Sequence, residues 1–406
     1  MSIKNKVRTT LQKNKVFNNY YEIYHKYAKH FYNRKNPKVI LNSDVSAIFF
    51  KEGTQTFFGY YDKTPVSNKN YLYHVVDDYE LNLERTIEIN LNHHKISETN
   101  TWNWQQGSML SWLNDDEIIH NYFDEGFKAK IINTINDEVR VIDFPIYSIS
   151  SDGEFSISLN FTRLANLRPD YGYFNRNYSE IEKCPKDDGL FYVDLEKNNF
   201  KLLLSLNLLS EFLPRESMKN AYHKVNHVMI SPNNEKIIFL HRWYDTNNKK
   251  YTRLIAYHLQ SNEIKLLADD DMVSHCNWKN DNEVIGYLRY QGKDGYYIIN
   301  VNTGEVQPIC QELEFDGHPS ITKDERWMLT DTYPDHTCKS KVILYDFDNK
   351  VTHILGEFYS PLKFEGINRC DHHPRFNDDE SKITFDTVCN GTRQMCELDI
   401  SKIINK

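Results

Sequence analysis

The sequence lacks the cysteine pattern of an exported, disulfide-rich protein. Its 406 residues include seven cysteines, an odd number, and no two of them are spaced as Cys-x-x-Cys. Such a set favours free thiols in a reducing compartment and argues against a structural zinc site. The sequence also lacks the apolar core of a signal peptide and any run long enough to span a membrane. We therefore expect a cytoplasmic protein.

Positive charge is scarce outside the N-terminus. Residues 1–38 hold ten basic residues against one acid, Glu22, which gives +9, whereas the whole chain carries −8. The remaining 368 residues therefore carry −17. An acidic body of this kind repels nucleic acid, so we exclude a nucleic-acid partner.

The basic segment, residues 1–38, is predicted to be a separate unit. Residues 2–33 have the spacing of one amphipathic helix, with apolar and aromatic residues three or four apart, and Asn36-Pro37 ends the pattern. A basic helix with an aromatic stripe suits an anionic membrane surface, here the inner membrane. A helix packed across the rest of the protein as a clasp is the structural alternative.

These alternatives make different predictions for lipid binding. The +9 segment should bind anionic vesicles in a salt-sensitive way, because each basic residue near the surface adds about 1 kcal/mol. Deleting residues 1–36 should abolish that binding in a vesicle sedimentation assay and leave the rest of the protein folded. Full-length protein that ignores such vesicles at low salt would show that the segment is a clasp.

Repeats organise the remainder of the chain. Four segments align without gaps over thirteen residues, at spacings of 48, 43 and 55 residues, and each begins with a histidine: His227, His275, His318 and His373. Each segment is predicted to form a strand, a polar turn and a second strand. Weaker copies begin near residues 61, 109 and 146, which makes seven. Repeated units of four short strands predict an all-β, seven-bladed β-propeller over residues 45–404.

Five stretches resemble a known propeller family: Phe58-GYYDKTP, Trp104-QQGSMLSW, Arg168-PDYGY, Asp316-GHPSITKDERWMLTDTYPD and Arg369-CDHHPRFNDDESKITFD. They are similar to oligogalacturonate lyases, to Tol-type propellers and to relatives in surface-polysaccharide gene clusters. The resemblance implies β-elimination of uronic-acid oligosaccharides with manganese held by three His and a Gln. In a Gln-x-x-His-Pro-His pattern of that family, His373 keeps its place here, while Cys370 and Arg375 replace the Gln and the second His.

The candidate site residues follow from the repeats and from the resemblance. Ring closure should bring the four repeat histidines together as ligands of manganese or zinc, although histidines that only cap inner strands are the structural alternative. Arg375 could bind a carboxylate, and a salt bridge between blades is its structural alternative. His241-Arg242 resembles the region that carries the family's catalytic base, and an exposed strand end is its structural alternative. The stretches above also suggest residues that bind substrate, namely Asp62, Lys63, Gln106, Arg168 and Arg369. The structural alternatives are a turn pair for Asp62 and Lys63, a satisfied strand end for Gln106 and a loop anchor for Arg168.

Two functions are compatible with these features. The first is a lyase acting on an acidic glycan or glycan precursor. The second is a non-catalytic or transferase-associated partner in capsule or O-antigen assembly at the inner membrane. The histidine cluster favours the first function, an enzyme. The basic N-terminal segment favours the second, a protein that works at the inner membrane.

Overall fold

The computed structural model describes residue 27 and residues 39–49, 54–77, 85–173, 181–309, 313–335 and 337–405. Their strands form seven antiparallel sheets, each of at least four strands. The predicted seven-bladed propeller is therefore confirmed. The predicted helix over residues 2–33 lies outside the described residues apart from Tyr27, which is helical and exposed. No helix among the described residues is long and apolar enough to cross a membrane.

The first three blades use the weaker repeats. Within each blade, the strands follow one another along the chain from the channel outward. The innermost strand of blade 1 is split into two pieces. Blade 1 contains Gln55–Phe57 and Val66–Ser67, then Asn70–Val76, Ile87–Leu91 and His94–Thr99. Blade 2 contains Ser111–Trp112, Glu117–Phe123, Phe127–Asn133 and Val139–Ile142. Blade 3 contains Ser148–Ile149, Phe155–Leu159, Gly189–Asp194 and Asn199–Ser205.

The last four blades begin at the histidine repeats. Blade 4 contains Tyr222–Ile230, Lys236–Tyr244, Lys250–His258 and Ile264–Ala268. Blade 5 contains Val273–Trp278, Glu283–Tyr290, Lys293–Asn300 and Val306–Pro308. Blade 6 contains Ser320–Ile321, Trp327–Asp331, Lys339–Asp346 and Val351–Tyr359. Blade 7 contains Arg375–Phe376, Lys382–Thr387 and Gln394–Asp399.

Short helices connect or decorate the blades. Two of them interrupt blade 3 between its second and third strands, at the irregular insertion expected from the sequence: helix α1, Phe161–Leu167, and a 3₁₀ turn, Pro169–Tyr171. The others are α2, Leu206–Glu211, a 3₁₀ turn at Glu216–Met218, a 3₁₀ turn at Gly366–Asn368, and α3, Ser401–Ile404.

The ring closes through the N-terminal part of the described chain. Ser46–Phe49 pairs with Gln394–Asp399 as the outermost strand of blade 7, and Ile40–Leu41 pairs with the outermost strand of blade 6. The repeats predict that residues 57–75 meet the last blade, and the backbone amides of Phe58 and Gly59 do donate to Asp386. The strand that completes blade 7, however, lies earlier in the chain. Closure of this kind leaves fewer open strand edges.

The polar turns of the repeats share one hydrogen-bonding motif. In blades 4, 6 and 7 an Asn or Asp side chain accepts a hydrogen bond from the backbone amide two residues later, as in Asp324 with Arg326 at 3.0 Å. The residue between them has a left-handed backbone, with φ of 62° at Asn234, 62° at Glu325 and 57° at Glu380. Such Asx turns form readily with Asn and Asp. They hold the first two strands of each blade in the register that directs the histidines to the channel.

Candidate active site

The four repeat histidines lie side by side at one end of the channel. The ring centres of His227 and His275 are 5.4 Å apart, those of His275 and His318 are 4.1 Å apart, and those of His318 and His373 are 4.3 Å apart. All four side chains are buried. The repeats therefore converge as ring closure requires.

Unusual backbone geometry directs two of these rings. His227 has φ of 51° and His373 has φ of 46°, values that are uncommon for residues other than glycine. His227 lies at a register irregularity between Asn226 and Met229, where blade 4's innermost strand is bulged. A bulge re-aims side chains, and such features gather near functional sites.

His318 and His373 are held as metal ligands usually are. Nδ1 of His318 donates to the Asp331 carboxylate at 2.7 Å, and Nδ1 of His373 donates to the Gly59 carbonyl oxygen at 2.9 Å. Because both partners only accept, each Nδ1 carries a proton, and Nε2 is the ring nitrogen that remains available to a metal ion. Neither Nε2 has a hydrogen-bond partner in the part of the chain that the structure describes. Hydrogen bonding of one ring nitrogen to a carboxylate or carbonyl is the usual support for a ligating imidazole.

Asp371 completes a group that could hold a metal ion. One ligand atom from each of His318, Asp371 and His373 lies within 4.8 Å of the others, and all three residues are buried. Asp331 also accepts the backbone amides of His318 and His373, at 2.9 and 3.1 Å, and so fixes two ligands from neighbouring blades. Two imidazoles and a carboxylate suit a divalent transition metal.

The other two histidines have different partners. Nδ1 of His227 bonds to the Tyr60 hydroxyl, and Nδ1 of His275 bonds to Asp316 at 3.1 Å. The predicted set of four histidine ligands is therefore divided: two belong to the group around Asp371, and two lie beside it. Burial, and then the charge of Arg242, hold the pKa of His227 well below its usual value.

The blade 3 insertion covers this end of the channel. The ring of Tyr171 lies 5.6 Å from that of His227, and the guanidinium groups of Arg168 and Arg369 stack on it at 5.1 and 5.7 Å. Asp170 forms ion pairs with both arginines, and Arg369 also pairs with Asp371 at 2.9 Å. Two residues predicted to bind substrate, Arg168 and Arg369, thus meet beside the candidate metal ligands.

Asp62, Lys63 and Arg375 lie farther along the channel. They line a cavity of about 330 Å³ together with the residues three positions after each repeat histidine: Ile230, Trp278, Ile321 and Phe376. Asp62 and Lys63 pair with each other at 2.7 Å. Arg375 is 1% exposed and donates to Asp386 and to the carbonyls of Gly59 and Tyr60. Its contacts are thus with blades 7 and 1.

Two adjacent residues of blade 4 point in opposite directions, as strand alternation requires. His241 bonds to His223 at 2.9 Å and accepts from Arg253 at 3.1 Å, which places it away from the four histidines. Arg242 donates to Thr252 and to the Val273 carbonyl, and its charge acts on His227. The structure therefore brings Arg242, and not His241, to the site.

Gln106 supports the site from blade 2. Its amide nitrogen donates to the Tyr147 hydroxyl at 2.8 Å, and that hydroxyl accepts the backbone amide of His227 at 3.1 Å. The side chain is buried, so in this arrangement it fixes the position of His227.

Sequence reasoning missed several residues of the site. Asp371 and Asp331 lie inside stretches that resemble the lyase family, as does Tyr60. Both aspartates also recur in blades 6 and 7: an Asp stands two residues before His318 and His373 and another stands thirteen residues after each. This shared spacing was the available signal. Lys224, a buried lysine in the same strand as His227, had no signal in the sequence.

Comparisons with known proteins identify the fold. No family model matches the chain, and no curated protein sequence matches it. An oligogalacturonate lyase from Vibrio parahaemolyticus is 13% identical with a TM-score of 0.61, over 89% of this chain and 96% of that one. An oligogalacturonate lyase in complex with manganese is 12% identical with a TM-score of 0.62, over 91% and 97%. The tricorn protease is 10% identical with a TM-score of 0.52, over 88% of this chain and 34% of that one.

The match covers only 34% of the tricorn protease, and a shared fold does not by itself specify an activity. At such low identities the likeness concerns the fold alone. This chain is a seven-bladed β-propeller with the overall fold of the two oligogalacturonate lyases.

Proposed function

We propose that this protein is a metal-assisted lyase acting on an acidic, uronic-acid-containing glycan in surface-polysaccharide metabolism. One observation carries the proposal: His318, Asp371 and His373 each offer a ligand atom within 4.8 Å of the others, and Nε2 of both histidines has no hydrogen-bond partner among the described residues. Buried polar atoms without partners are uncommon, and a divalent cation would satisfy the two imidazoles while the carboxylate supplied negative charge.

The donor set suits manganese or zinc. The lyase structure that contains manganese supports manganese as the first metal to test. At the position where the family pattern has Gln, this chain has Cys370, and the next residue, Asp371, offers an oxygen ligand instead. When bound, the ion would neutralise charge that develops on the uronate carboxylate.

The protein's own residues would position the sugar and move the proton. Arg168 and Arg369, held by Asp170 and stacked on Tyr171, lie where a carboxylate would approach the metal ligands. Elimination removes the proton beside the carboxylate and breaks the bond to the neighbouring glycosyl oxygen, which leaves with a proton while a carbon–carbon double bond forms. The first part of this step needs a base within hydrogen-bond reach. His227, bonded to Tyr60 and covered by Tyr171, is the imidazole placed for that step. Arg242 lies next to it as a further positive charge.

A direct assay tests this proposal. Purified protein with manganese should release unsaturated uronates from galacturonate- or glucuronate-containing oligosaccharides, seen as a rise in ultraviolet absorbance. Chelation with EDTA should remove the activity, and added manganese should restore it. Absence of unsaturated product from every acidic oligosaccharide tried, with manganese bound, would contradict the proposal.

The second candidate is glycan binding without chemistry, in capsule or O-antigen assembly at the inner membrane. The basic segment of residues 1–38 favours it, since ten basic residues suit an anionic bilayer. Binding of acidic oligosaccharides that persists without any product formation would favour this second candidate.

A further inference from the structure

Lys224 is a buried amine with no hydrogen-bond partner among the described residues. The residue is 1% exposed, and its Nζ bonds to none of them. Burying a charged ammonium without a partner is costly, so such a lysine tends to lose its proton. Asn226 lies two residues further along the same strand and is 0% exposed, and within the described ranges neither atom of its side-chain amide has a hydrogen-bond partner. Residues two apart in a strand face the same side, roughly 6.5 Å apart.

The surroundings of Lys224 are mostly positive. Arg242 is its cross-strand partner, and Tyr244 lies under the amine with its ring centre 5.9 Å away. The charged groups that act most on Lys224 come from three elements of the structure: Arg242, Arg168, Asp170 and Lys250. The one acid of this set, Asp170, is already paired with Arg168 and Arg369.

The positive side chains around Lys224 extend to the protein surface. Arg168 is about one-third exposed, at 32% of its side chain, and Lys250 is exposed. Although the Lys250 side chain reaches solvent, partial burial of its amine, and then the charge of Arg242, lower the pKa of this group to about 8. Besides burial, the positive charges of Arg242 and Arg168 also lower the pKa of His227. The positive cluster therefore extends from solvent to the candidate active site.

We infer that Arg168, Lys224, Arg242 and Lys250 form a subsite for a sugar carboxylate, separate from the metal ligands, and that Lys224 takes up a proton when the anion binds. This inference rests on the proposed function for the identity of the ligand as a uronate. An anion held by the outer cations, Arg168 and Lys250, lowers the electrostatic cost of charging the buried amine.

The electrostatics of Lys224 agree with this geometry. Burial first, and then Arg242 and Arg168, hold the pKa of Lys224 well below its ordinary value. The folded-state pKa is thus lower than the unfolded-state value of about 10.4. Above that value the amine is neutral in both states. As the pH falls toward the folded-state pKa, the unfolded state binds a proton that the folded state does not, so the free energy of unfolding decreases. Replacing it with methionine should therefore stabilise the protein more at neutral pH than at high pH.

Calorimetry on the full-length protein, kept metal-free with EDTA, tests the subsite. Sodium glucuronate is titrated at neutral pH in two buffers of different ionisation enthalpy, with glucose as the neutral probe. Glucuronate should bind, with uptake of up to one proton per anion, and glucose should not. In Lys224→Met the proton uptake should vanish and the affinity should fall roughly tenfold or more.

The matched control is Lys236→Met. Lys236 is also largely buried in blade 4, but its amine bonds to the Asp281 carbonyl and to Asn282, both at 3.3 Å. This variant should keep the affinity and proton uptake, and its thermal midpoint should fall. The midpoint of Lys224→Met should rise by about 1–3 °C at neutral pH.

Three results would overturn the inference: glucuronate binding no better than glucose, proton uptake unchanged in Lys224→Met, or a lower midpoint in that variant. The first two are measured without metal, so they are independent of catalysis. If glucuronate binds with proton uptake but no acidic oligosaccharide is cleaved in the presence of manganese, the proposed lyase function fails and the subsite stands. If cleavage occurs and Lys224→Met binds like the wild type, the subsite alone fails.

Discussion

Replacing His318 with alanine should abolish manganese binding, and His373→Ala should do the same. Each change removes one of the two imidazoles that share the candidate metal group with Asp371. Loss of residues that only orient a ligand typically lowers metal affinity 10–100-fold, so loss of a ligand should cost more than about 100-fold. The measurement is a manganese titration followed by calorimetry or by metal analysis after dialysis. Any lyase activity should disappear with the metal.

His120→Ala is the control for this experiment. His120 is as fully buried, but both of its ring nitrogens bond within blades 1 and 2, to Ser97 at 2.9 Å and to the Asn121 carbonyl at 3.0 Å. It should lose stability and keep manganese affinity. From the sequence we expect the channel histidines to contribute little to stability, but their burial indicates a loss of about 1–3 kcal/mol on truncation. Unchanged manganese affinity in both His318→Ala and His373→Ala would contradict the metal site.

The second large effect is expected at the closure of the ring. Asp386→Ala should destabilise the fold by about 3–5 kcal/mol, because it leaves the guanidinium of Arg375 buried without its carboxylate. Asp386 accepts from Arg375 at 2.8 Å and from the amides of Phe58 and Gly59 at 3.1 and 3.2 Å. Both members of the ion pair are nearly inaccessible, at 1% and 2% side-chain exposure. Urea unfolding of the variant and wild type measures the loss.

A surface pair provides the comparison. Arg289 and Asp294 pair at 2.7 Å with side chains about 40% exposed, so Asp294→Ala should cost less than about 1 kcal/mol. The double variant Asp386→Leu with Arg375→Met should recover part of the stability, because no buried charge is left unpaired, while the amides of Phe58 and Gly59 still lose their acceptor. A loss at Asp386 no larger than that at Asp294 would show that the buried pair does not hold the ring closed. Arg375→Lys, expected from the sequence to weaken acidic ligands, should lower stability as well, since lysine cannot make the same fork of contacts.

The repeat pattern was sufficient to predict the architecture. A histidine, an apolar residue three positions later and a polar turn recur in four segments, and the weaker copies complete seven blades. Because strands alternate and blades are related by near-symmetry, equivalent positions in the sequence become neighbours around the axis. This is why the sequence alone predicts that the four histidines lie together.

The individual contacts could not be predicted in this way. Adjacent residues of one strand, His241 and Arg242, face opposite sides, and their register against the neighbouring strands decides which one reaches the site. Arg375 follows His373 by two positions, as expected for a residue that faces the site. Its guanidinium nevertheless donates to the backbone carbonyl oxygens of Gly59 and Tyr60 in blade 1. Such contacts join residues more than three hundred positions apart, and no local pattern records them.

By itself, the sequence determined the number of blades, the position of the histidines and the contrast between a basic N-terminal segment and an acidic body. The tertiary structure decided which groups meet: Asp371 with His318 and His373, Asp170 with two arginines, and Lys224 with no hydrogen-bond partner among the described residues. The physical reason lies in the range of the interactions. Strand, turn and repeat signals depend on residues close in sequence, whereas metal donors, buried ion pairs and unpaired amines depend on distances of a few ångströms between chain segments that only ring closure brings together.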